Sequence, residues 1–192
     1  MSFLERLVRG LARDASERRR DWAQAALAEL PAVEGPLQKL EWLAGAAAML
    51  TGDLFIRTLA PWTRKDGETP PDGFAAALGA AMLAPSLYLL AASVLQKAGV
   101  RWVIAPIDYW MRNPQTAATF DRVTPLVLLA TLAIAAWSNI SVVFKGRHLG
   151  GSLFQVGLRL APWNIAVLSI AGGLLGALGG HALSQVSTLL PH

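Results

Sequence analysis

Residue types that commonly carry chemistry are sparse in this chain and far apart. Its three histidines stand at 148, 181 and 192, it has no cysteine, and nowhere do His and acidic residues cluster. Metal-assisted hydrolysis needs ligands at a spacing such as H-E-x-x-H, and phosphate loops and serine elbows need G-x-x-x-x-G-K-[ST] or G-x-S-x-G; none of these occurs. Gly150-Gly151-Ser152 is too short a fragment to make a nucleophile of Ser152. Asp108, among Arg101, Trp102, Tyr109, Trp110 and Arg112, lacks the second carboxylate, base or metal ligand that catalysis would require. No catalytic residue and no metal ligand is assigned. The residues name no cofactor either, although a lipid-soluble one needs little more than an apolar groove and one polar ligand such as His181.

The remaining candidates are polar or small residues inside apolar stretches. Asn139, flanked by Ser138 and Ser141, and His181 both fall in such stretches. Polar groups there face protein or a cavity, so they read either as interhelical hydrogen bonds or as part of a proton or ligand path. Gly172, Gly176 and Gly180 repeat at intervals of four with Gly173 and Ala177 beside them. Such a stripe lets another helix backbone approach closely, either from this chain or from another protein.

These residues are placed by a strongly apolar chain of 192 residues, 54% hydrophobic and 16% charged. Soluble chains average about 25% charged residues. Before residue 110 lie 24 of the 30 acidic and basic side chains, which divides the chain into an N-terminal region, 1–72, and a lipid-soluble region, 73–192. Uncharged runs at 73–96, 123–144 and 160–190 are each long enough, at about 1.5 Å per residue, to cross a hydrocarbon core of about 30 Å. Thr124-Pro125 and Pro162 suit helix starts, so the spans are read as about 73–96, 123–144 and 163–184. Trp102, Tyr109, Trp110 and Trp163 stand near span ends, where amphipathic rings prefer the headgroup level. Pro85 kinks or interrupts the first span without pointing to a function by itself.

In the N-terminal region, Phe3, Leu4, Leu7, Val8 and Leu11 recur at helical spacing with Arg6, Arg9 and Arg13 on other faces, a basic amphipathic helix suited to an anionic membrane surface. Asp14 and Glu17 have the spacing of a capping box ahead of a helix from about Ser16 to Leu30, and Gly35-Pro36 marks a turn. The segment Leu37 to Leu59 contains only eleven consecutive uncharged residues, with Asp53 and Arg57 four apart. An ionised group at mid-bilayer costs about 2.5–3.5 kcal/mol on insertion scales, so this helix is read as interfacial or cytosolic, with a fourth span as the alternative. The expected fold is all-α, with three or alternatively four transmembrane helices behind a cytoplasmic or interfacial helical region.

The six arginines of the first twenty residues leave no room for a signal-peptide core, so the N-terminus is expected to be retained. Three spans with an inner N-terminus put thirteen Lys/Arg inside against four outside, and four spans put eleven against at most six, so both arrangements place it in the cytoplasm. The tract Arg18-Arg19-Arg20 is flanked by Glu17 and Asp21 and does not read as a nucleic-acid footprint.

Trp22 to Leu30 reads WAQAALAEL, and Leu40 to Gly45 reads LEWLAG. This resembles the N-terminal signature of a loosely defined set of small bacterial inner-membrane proteins, in which a W-A-x-A-x-x-A-E-L helix precedes an L-x-W-x-x-G helix and hydrophobic spans. The resemblance covers about 30 residues and implies architecture, with at most a docking or regulatory role for the prefix; separately, Trp22 and Trp42 are the residues expected to carry prefix docking. Beyond residue 60 no transporter or enzyme family matches the pattern. The expectation is a non-catalytic protein of the bacterial inner membrane that acts by contact, as an accessory subunit or membrane-bound regulator; the alternative is a homo-oligomeric channel or small transporter. Its expected partners are membrane lipids and either another protein or further copies of itself.

Overall fold

A computed structural model describes residues 3–64, 70–148 and 154–189. Seven α-helices occur among them: α1 (Phe3–Asp14), α2 (Glu17–Glu29), α3 (Pro36–Leu59), α4 (Asp72–Lys97), α5 (Ala105–Met111), α6 (Pro114–Val143) and α7 (Pro162–Leu189). Three stretches are long and apolar enough to cross a membrane: Asp72–Lys97, Pro114–Val143 and Pro162–Gly180. α3 is not among them, despite its 24 residues.

Among the described residues the structure is all-helical, as expected, apart from one short hairpin. Strands β1 (Phe144–His148) and β2 (Phe154–Leu158) form an antiparallel hairpin between α6 and α7, with Phe144 opposite Leu158 and His148 opposite Phe154. Its signal was the period-two pattern of Phe154, Val156 and Leu158, which is short enough to pass for loop. The Arg159 amide continues the ladder by donating to the Val143 carbonyl at 2.8 Å.

Helix ends follow local chemistry. Gly35 takes φ +80°, a left-handed conformation that glycine adopts without steric cost, and turns the chain into Pro36 at the start of α3. α4 closes at Gly99, φ +86°, where the Gly99 amide donates to Gln96 and the Val100 amide to Leu95, the paired bonds of a Schellman motif. α6 does not start at Thr124-Pro125 as the sequence suggested. Asn113 caps it instead, its Oδ1 accepting from the Gln115 amide at 2.9 Å, and Pro125 lies inside the helix. Asp121 and Arg122 are exposed there, so their charges did not have to end the helix.

The chain divides into two compact units, one comprising Met1–Ala77 and Ile140–Ala161, the other Leu78–Asn139 and Pro162–His192. In the first, Val8, Ala12, Ala15, Ala23, Leu30, Leu43, Ala46 and Leu50 form a core built by α1, α2 and α3. The apolar face of α1 is thereby largely occupied: Val8 and Ala12 are buried and Leu4 and Leu11 pack beside them, which leaves only Phe3 and Leu7 exposed. The basic amphipathic helix thus finds its apolar partner in protein. The alanines of WAQAALAEL have a packing role here, since Ala23 and Ala26 are the buried residues of α2. In the second unit, Leu83, Leu132, Ala135, Val167 and Ala171 form a core among α4, α6 and α7.

Candidate functional site

Within the second unit, α4, α6 and α7 meet at a polar crossing. The Asn139 carboxamide donates to the Ala135 carbonyl at 2.8 Å and to the Ser138 hydroxyl at 3.1 Å, and its oxygen accepts from Asn164 Nδ2 at 2.8 Å. Ser138 in turn donates to the Ala135 carbonyl at 3.1 Å. Asn139 is 0% and Asn164 2% exposed. α4 contributes Gly79, at which a Cβ atom would overlap Asn139 Nδ2 and lie 2.6 Å from Val167 Cγ1. The absence of a side chain at 79 is what lets α4 approach. Carboxamides neither take up nor release protons near neutral pH, so this arrangement ties helices together and fixes their register. Asn164 was missed in the sequence because it follows Pro162-Trp163 and was absorbed into a helix start; a polar residue inside an apolar run was the available signal.

Interhelical hydrogen bonds in such settings average about 0.6 kcal/mol and reach about 1.7. Asn164→Leu is therefore expected to lower stability by about 1 kcal/mol, read as a small shift of the unfolding midpoint in detergent mixed with increasing SDS.

α7 presents two contrasting faces. Val167 and Ala171 are buried in the core, with Leu174 and Leu175 packed against it. On the other side, a Cβ built at Gly172, Gly173, Gly176, Gly179 or Gly180 meets no atom within 4 Å. Among the described residues, then, nothing covers the stripe of Gly172, Gly176 and Gly180. His181 continues α7, but its side chain lies outside the described residues.

The first unit holds a charged junction. The Asp14 carboxylate accepts from the Phe74 amide at 2.9 Å, in the first turn of α4, and the Asp14 carbonyl accepts from Arg57 Nη1 at 2.7 Å. A negative charge on these amides satisfies an orphan donor and complements the helix dipole. The capping box expected from Asp14 and Glu17 does not form because α1 runs through Asp14 and α2 opens at Glu17, so the two never stand at the N-cap and N3 of one helix. Ser16 precedes α2 instead and makes no side-chain cap; its amide and hydroxyl face Asp53 at 3.3 and 3.5 Å. Asp53 Oδ2 stands 3.9 Å from Arg57, which is 6% exposed. The Asp53–Arg57 pair foreseen at i,i+4 thus sits inside a wider junction joining the α1–α2 turn, α3 and the start of α4. A second ion pair, Arg159 to Asp72 at 3.0 Å, ties the strand β2 exit to the same helix end.

Trp22 and Trp42 are both partly exposed, and the Trp42 indole N–H donates to the Ala26 carbonyl at 3.0 Å, fastening α3 to α2. Trp102, Tyr109, Trp110 and Trp163 are exposed. A second-unit cavity of about 300 Å³ is lined by Pro85, Tyr88, Trp110, Phe120 and Thr124 among others, and Tyr88 is fixed beside it by donating to the Val103 carbonyl at 2.6 Å. Asp108 lies on α5, and among the described residues no three His, Cys, Asp or Glu side chains converge on one point.

Comparison of the chain with protein-family models, curated proteins and solved structures finds no match.

Proposed function

We propose that this protein acts by contact, as a non-catalytic accessory subunit or membrane-bound regulator whose open α7 face receives a helix of another chain. The observation that carries this reading is the pair of faces on α7: one is committed to the core of its own unit, while a Cβ at Gly172, Gly176 or Gly180 meets nothing within 4 Å among the described residues. In lipid, helices associate through close backbone approach and van der Waals contact, and an uncovered small-residue stripe supplies the surface for it. The hydrogen bond that Asn164 donates to Asn139 across α7 and α6 favours a packing role for the span-helix polar groups over a solute path. Excess Lys/Arg on the N-terminal side supports a cytoplasmic N-terminus in a bacterial inner membrane, with α1–α3 and the exposed rims of Trp22 and Trp42 available to a cytoplasmic partner.

Gly176→Ile tests the reading. A Cβ at 176 meets no atom within 4 Å among the described residues, so thermal unfolding of the isolated protein is expected to stay the same. The native complex extracted in mild detergent is expected to lose mass, through loss either of a co-purifying chain or of further copies. Unchanged complex mass and composition would count against the stripe as the contact.

A further inference from the structure

The first unit contains a cavity of about 430 Å³ between α2 and α3, lined by Ser16, Arg19, Met49, Asp53, Arg57 and Thr63, among others. Two guanidinium groups face one carboxylate there, so the lining carries a net positive charge. The carboxylate is already engaged on the α2 side, its oxygens accepting from the amide and hydroxyl of Ser16. Both arginines stand 3.9 Å from it, Arg19 at Oδ1 and Arg57 at Oδ2, within range of charge attraction but beyond hydrogen bonding. Arg57 is fixed in place by its 2.7 Å bond to the Asp14 carbonyl.

Arg19 is the telling residue. Its Nη1 donates to the thioether sulfur of Met49 at 2.8 Å, and thioethers are weak acceptors. Among the described residues no oxygen accepts from this guanidinium, although it carries five N–H donors in a planar fork. A fork of that kind suits two oxygens of one phosphate, and the buried Arg57 charge behind it adds attraction without having to be ordered on binding.

We infer that this cavity binds a phosphate group carried on an organic moiety. At about 30 Å³ per water the space holds roughly fourteen waters, more than a bare phosphate fills, and Met49 and Ile56 give the remainder an apolar wall. Two sources share this chemistry: the headgroup of an anionic phospholipid, near at hand because the chain enters its first span helix soon after Thr63, and a soluble phosphoester.

The test is titration calorimetry on the full chain in a maltoside detergent, using dihexanoyl phosphatidylglycerol, glycerol 3-phosphate, inorganic phosphate and dihexanoylglycerol. Saturable binding of the first and none of the last is expected, with Arg19→Gln weakening it about tenfold or more, as for loss of a charge-assisted bond. Arg19 is half-exposed, so the variant is expected to unfold at the same temperature as the parent, and that scan confirms that a folded site was tested. Equal binding of glycerol 3-phosphate supports the site and identifies a soluble phosphoester as its ligand; binding of the phospholipid alone identifies the membrane. The inference is overturned if none of the three phosphates binds saturably, or if Arg19→Gln binds as well as the parent.

Discussion

Gly79→Ile will unseat the crossing of α4, α6 and α7 and will be the most damaging single substitution in the second unit. Even a methyl group at 79 would overlap Asn139 Nδ2 and come within 2.6 Å of Val167 Cγ1. Neither neighbour can yield easily: Asn139 is held at three points by Ala135, Ser138 and Asn164, and Val167 is part of the core. Overpacking a filled site commonly costs about 1–3 kcal/mol. An isoleucine must also separate the helices that share the Asn139–Asn164 bond, so a loss at or above the top of that range is expected. The measurement is the SDS-induced unfolding midpoint in detergent, with Gly172→Ala as a matched control. Among the described residues a Cβ at 172 meets nothing within 4 Å, so the control should unfold no earlier than the parent and should gain from the better helix propensity of alanine. If Gly79→Ile and the control behave alike, the close approach of α4 is not what holds this unit.

The second large effect belongs to Arg57. Arg57→Met keeps much of the side-chain volume but removes the cation that donates to the Asp14 carbonyl and faces Asp53. Breaking a buried pair by deleting one partner costs about 3–5 kcal/mol, because the remaining charge stays behind in a poorly solvated place. Asp53 keeps its Ser16 contacts and the Arg19 charge at 3.9 Å, and its side chain is 17% exposed, so the lower end, about 3 kcal/mol, is expected. The loss should appear in the α1–α3 bundle as faster hydrogen exchange at the Ser16 and Phe74 amides, whose acceptors the junction aligns. Adding Asp53→Asn to Arg57→Met should restore part of the stability, since a part-buried carboxylate left with only the half-exposed Arg19 would then be gone. A double variant as unstable as the single one would show that steric filling, not charge, is what Arg57 contributes.

Lengths and charges exposed the coarse plan of this molecule because lipid solubility is a property of whole segments. A charge-free run of two dozen residues can be recognised without knowing its neighbours, and Pro162 and Gly35-Pro36 mark boundaries through their own dihedral preferences. Pairings were not readable in the same way. Asn139 meets a residue 25 positions away and Asp14 an amide 60 positions away, and neither partner carries a local signature. Asp14 also shows how a local pattern can mislead by a shift in helix boundaries. Its spacing to Glu17 is that of a capping box, yet α1 runs through Asp14 and α2 opens at Glu17 behind Ser16, which leaves the Asp14 carboxylate to accept from the Phe74 amide instead. The apolar face of α1 is similar: periodicity shows that such a face exists, and only the folded bundle shows that α3, not lipid, receives most of it.

The cap on α4 also has a consequence for the order in which the molecule is made. Asp14 is synthesised 60 residues ahead of the amide it accepts from. At about 5–20 residues per second that is a lead of roughly 3–12 s. Helices form in about a microsecond and small chains collapse within about 100 μs, so α1, α2 and the first part of α3 have ample time to come together before Phe74 exists. The first span helix therefore emerges to find its acceptor already built. A ribosome pausing between residues 57 and 74 would lengthen that interval without harm, whereas a chain begun after Asp14 would deliver the same helix with its leading amide unmet.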